Sequence, residues 1–253
     1  MNNKKNFIIL LSLIIVAVIV LFFYFLMNKK DKVAEKNYDN VNFSELVAVD
    51  EKGNTNFNPK NLSDSLVLID KSDLSDLEKA GLVYMREEEK LAHDVYVVLF
   101  GKFGQTSFDN ISKSEQTHTE AVKSLLERYN LEDPSLNKVV GDFENADLKA
   151  LYIELLNKGT KTIKDSLEVG AAIEEIDILD LQERITQTDN DDIKVVYENL
   201  MLGSRNHLRS FTKNFKNLTG QDYIPKYLSQ EEYNSIVGEN IERGGVGLGK
   251  GKK

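Results

Sequence analysis

Cysteine is absent from this chain of 253 residues, which excludes disulfide cross-links, thiolate zinc sites, iron–sulfur ligation and a cysteine nucleophile together. A thiol-free chain suits an oxidising exterior and a reducing interior alike, so cysteine usage does not fix the compartment. Proline is scarce, at three residues, and no run in the main body alternates apolar and polar side chains convincingly, which leaves an all-α class. Positive charge is thin in the middle of the chain. Residues 1–32 carry a net +4 and residues 239–253 a net +2, so a whole-chain charge of −9 leaves −15 between them. That balance argues against a nucleic-acid groove and suits cations.

One long hydrophobic run is present. Residues 7–27 are uncharged and long enough to cross a hydrocarbon core of ~30 Å as a helix. The run exceeds the ~7–15 apolar residues of a signal peptide, and no small-x-small site follows Met27, so an uncleaved transmembrane anchor behind a short tail, 1–6, is expected. Lys4 and Lys5 nearly balance Lys29, Lys30 and Lys32, so flanking charge does not decide orientation. The expectation is a single-pass membrane protein with its folded domain outside the cytoplasm.

Residues 28–74, rich in Lys, Asp, Asn and Ser without a sustained period, read as a linker whose Leu66–Ile69 cluster docks as an extended segment. A folded domain over 75–237 opens on the Ser75-x-x-Glu78 capping box. Helical spacing of apolar residues then predicts long helices near 76–100, 108–129, 162–185 and 191–218, and a short one at 148–156. Short links within each pair and a long connection between the second and third helices describe a ferritin-like four-helix bundle with one crossover. A small helix near 231–237 precedes a flexible Gly/Lys tail, 238–253.

Acidic and imidazole groups interrupt the apolar stripes of all four long helices. Glu89 lies in line with Met85, Ala92 and Tyr96, whereas Glu88 is second choice and Glu87 faces elsewhere. Glu115 and His118, one turn apart in Ser-Glu-Gln-Thr-His, share a face with Ile111, Val122 and Leu125. Glu174 follows Leu167 and Ala171, with Asp177 one turn on and Glu175 expected to point outward. His207 falls in line with Leu200, Ser204 and Phe211, while His93 reads as a supporting or surface residue.

An ionised carboxylate buried among such residues is unfavourable unless something positive compensates it, and a metal ion would. Glu89, Glu115, Glu174 and Asp177 supply enough negative charge for two divalent cations, with neutral His118 and His207 completing the set. Carboxylate and imidazole without thiolate suit iron or manganese, and zinc accepts them too. The competing reading is a hydrogen-bonded polar core without metal.

Four motifs, Glu-Glu-Lys-Leu-Ala-His-Asp-Val-Tyr, Ser-Glu-Gln-Thr-His, Gly-Ala-Ala-Ile-Glu-Glu-Ile-Asp and Gly-Ser-Arg-Asn-His-Leu-Arg, resemble the ferritin-like family catalogued as domain of unknown function 2202. Glu89-x-x-Ala-x-x-x-Tyr96 and Glu115-x-x-His118 are also similar to rubrerythrins. That resemblance implies metal ligands at Glu89, Glu115, His118, Glu174 and His207, with Asp177 as the additional carboxylate of the third helix. It further implies a di-iron oxidase or peroxidase acting on dioxygen or peroxide. Ser204 stands where those relatives have a bridging glutamate, which leaves three alternatives: Asp177 covers the deficit, the site holds a single metal, or it holds one ion strongly and one weakly. No cysteine-rich electron-transfer module is present, so an external electron donor is implied. The alternative is a non-catalytic binding or structural module, and either fits a homodimer.

Overall fold

Each long helix forms because the sequence gives it an apolar stripe, a start signal and a stop signal. The computed structural model describes Tyr38 and residues 41–247. A 3-10 turn over Phe43–Glu45 leads into strands Val47–Val49 (β1) and Thr55–Phe57 (β2). Seven α-helices follow among the described residues: Pro59–Leu68 (α1), Asp76–Phe103 (α2), Thr106–Tyr129 (α3), Ala146–Gly159 (α4), Ile163–Thr186 (α5), Asp191–Thr219 (α6) and Gln230–Gly238 (α7).

At the start of α2 the Ser75 hydroxyl accepts from the Glu78 N–H, and the Glu78 carboxylate accepts from the Ser75 N–H at 2.7 Å. The helix stops at Gly104, whose φ of +66° is a left-handed conformation that a residue without Cβ adopts freely. Helix α2 packs along α3 and α5 along α6; α2 also meets α5, and α3 meets α6, which closes a four-helix core. The rings of Tyr96, Phe108 and Phe211 fill one end of it, with centroids 5.1–5.9 Å apart.

The expected crossover is α4, which lies on α2 and α5. Glu87 fixes its start, accepting from the N–H groups of Glu144 at 2.6 Å and Asn145 at 2.9 Å. Glu175, expected to point outward, is instead fully buried. Its carboxylate accepts from the Tyr223 hydroxyl and from the N–H groups of Lys226, Tyr227 and Leu228, so it anchors the turn that leads into α7. The free backbone donors of that turn account for a buried charge that helical spacing alone could not place.

Residues 41–69 are folded against the body rather than forming a linker. Strands β1 and β2 pair antiparallel with Val47 opposite Phe57, and β2 lies against α3 and α6. Asn58 caps α1, proline opens it, and Leu46, Phe57, Leu62, Leu66 and Ile69 are buried. Leu66 and Leu68 thus end a helix, not an extended segment. Strands of three residues are too short to show a period. Residues 239–247 of the expected tail also dock: the Glu242 carboxylate accepts from Arg205 and Arg209, and the Val246 N–H donates to Asn199 at 2.8 Å.

The expectation of a transmembrane helix, and with it a single-pass membrane protein, is not upheld. No helix among the described residues is long and apolar enough to cross a membrane, because charged residues interrupt each of the long ones; residues 7–27 lie outside the described part.

Candidate metal centre

The four long helices bring their buried acids and imidazoles to one level of the core. Glu89 comes from α2, Glu115 and His118 from successive turns of α3, Glu174 from α5 and His207 from α6, and none is more than 2 % exposed. They gather as two trios, Glu89–Glu115–His118 and Glu115–Glu174–His207, each with its donor atoms within 4.8 Å of one another. Glu115 belongs to both. Its Oε2 lies 2.9 Å from His118 Nδ1 and its Oε1 lies 2.8 Å from His207 Nδ1. Glu89 Oε2 is 3.5 Å from His118 Nδ1, and Glu174 Oε2 is 3.6 Å from His207 Nδ1. The two imidazoles stack with centroids 5.4 Å apart.

These close approaches are not aligned as hydrogen bonds. Glu115 Oε1, Glu89 Oε1, Nδ1 of both histidines and Nε2 of His207 are buried without a hydrogen-bond partner. Carboxylate oxygens and imidazole nitrogens that converge from four helices, with several of them outside hydrogen-bond alignment, are an arrangement that could hold a cation. Asp177 is in neither trio: its Oδ2 accepts from the Ser204 hydroxyl and its Oδ1 has no partner. His93 is partly exposed and bonds to Asp94 at 2.9 Å.

Electrostatics of the cluster follow from its dryness. Burial pushes Glu89 up to about 7, with His118 opposing the shift. Burial likewise raises Glu174 and, with Glu89 nearby, carries Asp177 well above the carboxylate range. Burial alone would raise Glu115 too, but His118 and His207 on either side hold it below its usual value. Both imidazoles would fall on burial, yet Glu115 outweighs this, leaving His118 well above its ordinary value and His207 at about 9. Protons on the imidazoles therefore balance the carboxylates in the absence of a cation, and a divalent ion would displace them.

Sequence reasoning missed three supports. The Thr55 carbonyl, on β2, accepts from His118 Nε2 at 3.0 Å, which holds a proton on Nε2, so Nδ1, facing the carboxylates, is the nitrogen whose proton a bound ion would displace. Gly203 on α6 admits the same ring: a Cβ there would lie 2.5 Å from His118 Cε1. The Tyr96 hydroxyl donates to Glu174 Oε1 at 2.6 Å. A glycine inside a helix was a visible signal; a carbonyl from a hairpin was not.

Fold and cluster together define a mostly helical protein with buried glutamate and histidine groups that could hold a metal ion. The chain belongs to the DUF2202 family, described as an uncharacterized protein domain, whose model matches residues 78–240. It is 52 % identical over 174 residues to an uncharacterized protein, MJ0754, of Methanocaldococcus jannaschii, covering 69 % of this chain and 94 % of that one. The crystal structure titled hypothetical protein MJ0754 is similar with a TM-score of 0.67 at 51 % identity, over 69 % of this chain and 99 % of that chain.

Proposed function

We propose that this protein binds transition-metal ions between its four long helices, in the manner of ferritin-like carboxylate proteins, and uses them to reduce dioxygen or peroxide. The observation that carries the reading is Glu115, whose two oxygens each face a different, unpaired imidazole nitrogen. A carboxylate so placed is suited to span two ions, with Glu89 and His118 on one side and Glu174 and His207 on the other. Oxygen and imidazole donors favour iron or manganese.

Reduced ions held there would supply the electrons for the oxidant. The chain's own groups do the positioning. The Thr55 carbonyl orients His118, the Tyr96 hydroxyl fixes Glu174 Oε1 so that Oε2 faces His207, and the surrounding apolar side chains exclude water. With no cysteine in the chain, electrons would return to the site from a separate donor protein.

Elemental analysis of protein purified from iron- and manganese-supplemented cells tests the binding. At least one transition-metal ion per chain is expected, lost in the double variant Glu115→Ala, His118→Ala; equal metal in both proteins would overturn the assignment. Peroxide consumption by iron-loaded protein with an artificial reductant then separates the classes. Metal without turnover leaves a binding or storage module.

A further inference from the structure

The two trios account for Glu89, Glu115, Glu174 and two histidines but leave Glu88 unexplained. Glu88 is 4 % exposed, and neither of its carboxylate oxygens has a hydrogen-bond partner. Asp177, 6 % exposed, has one oxygen in the same condition. Both line a pocket of about 10 Å³, otherwise walled by apolar side chains such as Leu91, Leu151 and Ile173. That is room for about one water-sized particle. As anions, carboxyl groups facing an apolar pocket are unfavourable unless a proton or a metal cation neutralises them.

Their position supplies the visitor. Glu174, Asp177 and Asp180 recur every third residue on α5, roughly 4.5 Å apart along the axis. Glu174 is in the cluster, Asp177 lines the pocket, and Asp180 is partly exposed, its Oδ2 accepting from the Tyr84 hydroxyl at 3.0 Å. From α2, Glu88 lies against both Asp177 and Asp180, close enough to Asp180 for the two carboxyls to share a proton. Arg184, one turn further out, lies over the Tyr84 ring at 5.2 Å and bonds to Gln187. Carboxylates thus run from the partly exposed Tyr84–Asp180 pair to the buried cluster in one-turn steps, and Glu88 stands opposite the middle of the run.

We propose that Glu88, Asp177 and Asp180 form a transit site for divalent cations, through which an ion passes from the Tyr84–Asp180 surface to Glu174 and the cluster. A cation shedding water in an apolar interior needs an anionic oxygen at each step, and Glu88 and the Oδ1 of Asp177, which no side-chain or backbone donor holds, can exchange a proton for the ion without disrupting the fold. The inference rests on the cluster being a metal centre.

Stopped-flow loading of the full chain tests it. Metal-stripped protein is mixed with Co²⁺, whose visible absorption reports arrival among the cluster's ligands. Glu88→Gln and Asp180→Asn should each load at least about tenfold more slowly, with the same final cobalt content and spectrum as the parent. Glu127→Gln, an exposed acid on α3, should load at the parent rate. Parent-like rates in both transit variants overturn the path, and so does a reduced final cobalt content in Glu88→Gln, which would make Glu88 a permanent ligand. Failure of the parent itself to take up cobalt overturns the metal centre and the path together. Thermal melts of the stripped proteins check folding: Glu88→Gln keeps the side chain's shape and should melt no lower than the parent.

Discussion

At Gly203 a single missing methyl group decides how close the His118 ring comes to α6. Alanine there would place a Cβ 2.5 Å from His118 Cε1 and 2.9 Å from Nε2, forcing the imidazole away from Thr55 and Glu115. Gly203→Ala should cost about 1–3 kcal/mol in chemical denaturation of metal-free protein, and its metal content should fall with it. The five residues of the two trios were legible in the sequence because each breaks an apolar stripe with a group that cannot stay charged and unpaired. Asp177 was legible as buried but not as a partner of Ser204, since the hydroxyl lies on a different helix. Glu175 was misplaced for a related reason: its carboxylate is satisfied by backbone N–H groups about 50 residues away, which carry no side-chain signature.

Helices announced themselves through their period and caps, so α2 to α7 lie close to where spacing and capping residues put them. The hairpin and α1 did not, since strands of three residues and a ten-residue helix in a polar stretch offer too few repeats to register. Elements joined by one buried acid are the vulnerable ones. Glu175→Ala should leave the Tyr223 hydroxyl and three N–H groups without their acceptor, costing about 3 kcal/mol. Amide exchange should then quicken at residues 226–228 while α2 and α3 remain protected, a pattern that mass spectrometry of peptic fragments would show.

For the molecule as a whole, stability should be greatest in a band of intermediate pH. Glu78 is held down to about 2: burial works against this, but donors from Thr188, Asn190 and Ser75 prevail. Its stabilisation is complete above the unfolded value near 4.5 and is lost as pH falls towards about 2; Glu78→Gln should flatten that acid limb. In metal-free protein His207 has the opposite sign. Raised to about 9 by Glu115 and Glu174 against burial, it stabilises fully below 6.5 and loses that contribution as pH rises through about 9. Glu89, raised to about 7, loses its contribution earlier, between its unfolded value near 4.5 and about 7, so urea midpoints of stripped protein should fall from about pH 5 to 9. Bound metal should abolish most of that fall by removing the protons that titrate. The family match spans residues 78–240, but the carbonyl that steers His118 belongs to Thr55 and the carboxylate that ties down Arg205 and Arg209 belongs to Glu242. Trimming a recombinant fragment to the family's edges would therefore discard both clamps, yielding helices with a loosened imidazole and misleadingly weak affinity for any ion tried.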